Sequence, residues 1–70
     1  MKPQHERILR FIDEHGSITP MEAFSELGIT KLSTRIGEMI ADGIRIEKHR
    51  VKGKNRFGEK VNYMRYTKGE

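Results

Sequence analysis

Up to about Asp42 the apolar residues of this chain recur at helical spacing, and from Ile44 onward they recur at every second position. In PQHERILRFIDEHG, Ile8, Leu9, Phe11 and Ile12 are helically spaced with charges between them, which predicts a helix over 4–15. Pro3 suits a first turn, where a backbone N–H has no partner to lose, and Gly16 is a natural stop. Ser17–Thr19 is too short for a helix and ends in a β-branched pair, so a brief strand is expected at 17–19. Thr19-Pro20-Met21-Glu22 is a complete helix start. The Thr19 hydroxyl accepts from a free backbone N–H, Pro20 loses no bond at the first position, and Glu22 reaches back to the Thr19 N–H. The helix so begun is expected over 20–27, burying Ala23, Phe24 and Leu27, with Gly28 ending it and Ile29 as a buried link.

A third helix is expected over 31–42, with Thr30 as its cap and Gly43 as its left-handed stop. At 100° per residue, Leu32, Ile36, Met39 and Ile40 fall at about 0°, 40°, 340° and 80°, one apolar stripe. The opposite side presents Lys31, Thr34, Glu38 and Ala41, with Arg35 on its flank. Gly37 costs about 1 kcal/mol against Ala inside a helix. Close approach of another segment would account for it, and so would tolerated drift.

The period-two part predicts strands at 44–52 and 60–67. Between them Asn55-Arg56-Phe57-Gly58 fits a type I turn whose glycine takes the left-handed position. Closing that turn pairs even-numbered residues with even-numbered ones. Ile44, Ile46, Met64 and Tyr66 then face the helices at the base, and Lys48, Arg50, Lys52 and Lys54 continue the same face outward. Val51, Val61 and Tyr63 share the other face as a small stiffening cluster. The stretch HRVKGKNRFGEK (His49–Lys60), useless to a core, is thus expected to be a projecting cationic arm that includes Arg56. Lysines on an exposed strand edge also guard against sheet-to-sheet aggregation, which would account for any one of them, but a run of basic residues on a projecting hairpin beside an exposed helix points more to DNA or RNA contact.

Composition narrows the picture. Seventy residues with 34% hydrophobic content make one small domain, 1–70, with a modest core. There is no cysteine, hence no disulfide and no thiolate zinc site, as in a reducing cytoplasm. The N-terminus has no apolar run of the secretory kind, and nowhere do about 18 apolar residues run together to span a membrane. The net charge of +4 is unevenly spread. Residues 1–28 carry three Lys and Arg against five acids, a net −2, and residues 29–70 carry eleven against five, a net +6. A segregated basic half suggests a polyanionic partner, with nucleic acid ahead of an anionic membrane surface, while a net +4 taken alone is equally compatible with charge that does nothing specific.

The order helix, strand, helix, helix, strand, strand, with a tight turn at Gly28-Ile29 and a basic hairpin, resembles a winged helix-turn-helix domain. This is an α+β fold in which a three-helix bundle carries a C-terminal hairpin wing. More narrowly, GSITPMEAF (Gly16–Phe24) followed by LGITKLSTRIGEMIADGIRI (Leu27–Ile46) resembles small helix-turn-helix proteins of bacteriophages and prophages. The likeness covers Ile8 to Tyr66, and the N-terminal domain of the biotin-operon repressor is a more distant one. Against that wider group the link between the second and third helices is tighter by roughly two residues, and Phe24 stands where a small residue is usual.

The resemblance implies double-stranded DNA binding through the third helix, with the wing on backbone or minor groove. It places Thr30, Lys31, Thr34 and Arg35 at the first turn and outward side of that helix. Arg35 or Lys31 would meet guanine, and Thr34 a thymine methyl or a phosphate. Glu38 would accept from cytosine or simply be solvated. Lys48, Arg50, Lys52, Lys54 and Arg56 would meet phosphates. The role implied is that of a phage or prophage transcription regulator or excision accessory factor. The alternative is a protein-interaction module in a replication or recombination complex, docking through Val51, Val61 and Tyr63. RNA is a third possible partner. With no extra helix for dimerisation, the isolated domain is expected to be monomeric.

Enzymatic chemistry finds little support. His5, His15 and His49 lack metal-ligand spacing, and Asp13 and Glu14 are adjacent and face apart. Lys52-Gly53-Lys54 lacks the setting of a phosphate-binding loop. No cofactor or metal is expected. Phe57 and Tyr63 are of the kind that stacks on single-stranded bases, but so near a turn they read as local packing.

Overall fold

The computed structural model describes residues 2–69, so the ends of the expected 1–70 domain, Met1 and Glu70, lie outside the described residues. Three helices are followed by two strands: α1 (Pro3–His15), α2 (Pro20–Leu27), α3 (Leu32–Ala41), β1 (Ile46–Lys54) and β2 (Lys60–Lys68). Pro3 opens α1, and Gly16, at φ 88°, closes it by donating its N–H to the Ile12 carbonyl. Helix α2 carries the full reciprocal cap. The Thr19 hydroxyl oxygen accepts from the Glu22 N–H at 3.3 Å, and Glu22 Oε1 accepts from the Thr19 N–H at 3.0 Å.

The core is built from Ile8, Phe11 and Ile12 of α1, Ala23 of α2, and Leu32, Ile36 and Met39 of α3. Ile18 and Ile29 close it from the links, and Tyr66 covers it from β2. Burying each large aliphatic side chain of this set is worth about 1.5–3 kcal/mol. Tyr66 is sunk deeply enough that burial pushes its phenol pKa up. His5 is also buried, at 1% exposure. It stands three residues before Ile8 and seven before Ile12, so it continues the apolar stripe of α1.

Several expectations are corrected. The strand expected at 17–19 is absent: the segment makes one reciprocal pair of backbone hydrogen bonds, Ile18 with Tyr66, each 2.9 Å, and leaves the sheet two-stranded. Pro20, with no N–H to donate, follows at once and starts α2, so the pairing cannot continue. Phe24 is 59% exposed, because Ala23 occupies the centre of the short helix's buried face and Phe24 lies about 100° round from it. Ile40 is likewise 40% exposed, at the edge of its stripe. The first strand begins at Ile46 instead of Ile44. The Ile44 N–H is taken by the Met39 carbonyl and the Gly43 N–H by the Ile40 carbonyl, a paired closure of α3 that delays the strand.

The sheet register runs from Ile46 opposite Lys68 to Lys54 opposite Lys60, pairing even residues with even as expected. The turn is also as expected. Gly58, at φ 77°, donates to the Asn55 carbonyl, and the Asn55 N–H donates to the Glu59 carbonyl, both at 3.0 Å. The Asn55 side-chain oxygen holds the loop from inside by accepting from the Phe57 and Glu59 N–H groups. The molecule measures 40 × 24 × 21 Å with a radius of gyration of 12.4 Å. A compact chain of this length would have about 11 Å. The hairpin accounts for the excess.

Candidate nucleic-acid interface

Two surfaces carry the residues singled out above. The first is the outer side of α3. The link from α2 is Gly28–Lys31, with Gly28 at φ 68° reversing the chain and Ile29 pinning it to the core. Helix α3 starts one residue later than expected, at Leu32, and its N-cap is Lys31, not Thr30. No side chain caps it, so Thr30 does not fill the role assigned to it. The helix is set instead by burial of Leu32, and its first turn keeps free N–H groups at the surface. Thr30, Lys31, Ser33 and Thr34 are all exposed. A side-chain carbon added at Gly37 would meet nothing within 4 Å. The hairpin therefore does not approach Gly37, and this face of α3 is open.

Arg35 and Glu38 sit differently from their neighbours. Glu38 is neither free to read a base nor merely solvated. Its Oε1 lies 2.9 Å from His5 Nε2 and its two oxygens accept from Arg35 Nη1 at 2.9 and 3.0 Å, while Lys2 Nζ stands 3.6 Å away. The His5 hydrogen bond first, and then Arg35, hold the Glu38 carboxyl down to about 2. An ionised carboxylate only accepts, so His5 Nε2 is the donor in this contact. Its buried Nδ1 has no partner among the described residues.

The second surface is the arm. Lys48 and Arg50 are exposed but stand opposite Tyr66 and Met64, which touch the core, so they lie beside the body instead of beyond it. Lys52, Lys54 and Lys60 lie further out on the same face, and Arg56 is at the turn. The rest of the arm is stiffened on the other face, where Val51 pairs with Tyr63 and both Val51 and Val61 are half-buried. Phe57 is 78% exposed, so it does not supply the local packing expected of it. Nearer the base, His49 Nε2 is 3.0 Å from the Thr67 hydroxyl, and Lys68 reaches Asp13 of α1 at 2.7 Å.

A third surface was only half visible in the sequence. A groove of about 750 Å³ runs between the start of α2 and β2, lined among others by Pro20, Met21, Val61 and Tyr63. Met21 is 74% exposed beside it.

Three helices with an open, polar outer face on the third and a cationic antiparallel hairpin beyond them define a winged helix-turn-helix, a DNA-binding class of domain. Residues 3–68 match the family model described as a winged helix-turn-helix domain, and the chain belongs to that family. No match is found among curated proteins or among solved structures. No described helix is long and apolar enough to cross a membrane.

Proposed function

We propose that this domain binds double-stranded DNA with sequence preference, α3 reading the major groove and the hairpin gripping phosphates. The observation that carries the reading is the open outer face of α3, with Lys31, Ser33 and Thr34 exposed and clear space over Gly37, in a molecule that also extends a cationic arm. Recognition helices use mainly their N-terminal residues on base edges. Lys31, Thr34 and Arg35 supply those contacts, Thr30 meets the backbone beside them, and Lys48, Arg50, Lys52, Lys54 and Arg56 neutralise phosphate. The domain performs no reaction of its own and acts in the cytoplasm. Its likeness to small phage and prophage proteins supports a role as transcription regulator or excision accessory factor. The test is titration of a labelled duplex over a salt series. Neutralising about five phosphates gives a slope of log K on log salt near −4.5. Absence of binding at low salt would refute the proposal.

A second reading draws on the groove beside Met21, Val61 and Tyr63, where a protein partner in a replication or recombination complex would dock. Chemical-shift mapping separates the two. Duplex DNA should move Lys31, Thr34, Arg35 and residues 48–56 together, whereas a docking role predicts shifts confined to the groove when partner is added and none with DNA.

A further inference from the structure

Arg35 is the one residue of the proposed reading set that is held in place before any DNA arrives. Glu38, one turn further along α3, takes only Nη1, at 2.9 and 3.0 Å. Nε and Nη2 have no hydrogen-bond partner among the described residues. Those two nitrogens form one edge of a planar fork, and that edge matches the two acceptors, O6 and N7, that guanine shows in the major groove. Glu38 is not free to drift with Arg35, because His5 reaches it from α1 at 2.9 Å and His5 is itself locked in the core. The chain of contacts therefore runs from the buried face of α1, through a carboxylate, to a guanidinium on the flank of α3.

We infer that Glu38, anchored by His5, is a positioning residue that aims the free edge of Arg35 at a guanine, an inference that rests on the DNA-binding reading above. A carboxylate on this helix is otherwise a liability, because its charge repels the phosphates that the arm attracts. Its place in a contact with a buried ring makes sense if orientation outweighs repulsion. The two effects have opposite signs on two measurable quantities. Removing the charge of Glu38 should tighten binding to any duplex and at the same time weaken the preference for one base.

The experiment begins with selection of bound duplexes from a random pool by the wild-type protein. Affinities for the selected duplex and for versions with each guanine replaced are then measured at one salt concentration. Wild type should prefer guanine at one position by about 5- to 150-fold, the range of a good two-bond contact. Arg35→Lys, which keeps the charge and loses the fork, should abolish that preference. Glu38→Gln should reduce it below about threefold while binding unrelated duplex at least as tightly as wild type. Glu38→Asp keeps the charge and withdraws the carboxylate from both partners; it should lose the preference with unrelated duplex bound as before, and it serves if Glu38→Gln does not fold by circular dichroism. Full guanine preference in either Glu38 variant overturns the inference, as does a wild-type preference that survives Arg35→Lys. If wild type binds no duplex at all, the DNA reading itself has failed, and that result appears before any variant is made.

Discussion

The helical body and the hairpin arm of this protein are held by different means. The body relies on burial: Ile8, Ile18, Ile36 and Met39 are wholly enclosed, and removal of any one leaves a hole. The arm has no enclosed side chain beyond Tyr66 and stands on its backbone ladder and on the Asn55–Gly58 turn. A segment that needs no core can give its side chains to charge. The separation explains how a small protein with few apolar residues displays so many cations without losing its fold.

The sharpest way to break this contrast is to empty the core. Ile36→Ala should cost about 2–5 kcal/mol, a large share of the roughly 3–10 kcal/mol expected for a domain of this size. Urea denaturation measures it, and a loss well under 1 kcal/mol would show that burial is not what holds the body. Thr19→Ala should cost about 1 kcal/mol by opening the cap of α2, seen as a lower denaturation midpoint with an unchanged slope. Acid probes the contact between α1 and α3. The Glu38 carboxyl is held down to about 2 against an ordinary 4.5, so its contribution to stability is complete above about pH 4.5 and disappears as pH falls toward 2. Denaturation midpoints of wild type should fall across that window, and Glu38→Gln should flatten the part of the fall due to this group. The smallest effect belongs to the arm. Lys52→Ala with Lys54→Ala should change stability by no more than about 0.5 kcal/mol, while making the salt slope of DNA binding shallower by about 1.8. A loss of stability above about 1 kcal/mol in that variant would mean that the arm helps to hold the fold after all.

Local chemistry was the part of this structure that could be read in advance. The Thr19–Glu22 cap, the Asn55–Gly58 turn and the even-with-even register each depend on residues close in sequence, and each stands where expected. What could not be read depends on what lies across the fold. The burial of His5 follows from its place on the α1 stripe, a signal present in the spacing but masked by its polarity. Glu38 gives no local sign that His5 awaits it thirty-three residues away. Phe24 was expected inside because it is apolar, yet the short α2 has room on its buried face for Ala23 at the centre and Leu27 beside it. Thr30 has the chemistry of a cap, and the burial of Leu32 decided the start of α3 instead.

The single backbone pair between Ile18 and Tyr66 also bears on how the molecule comes together. All three helices precede Tyr66 in the order of synthesis, so a nascent chain can assemble them early from neighbouring residues. The lid over Ile18 arrives only when the far strand leaves the ribosome. Until then Ile18 lacks that partner, and the contact that supplies it joins residues far apart in sequence, the kind that slows folding.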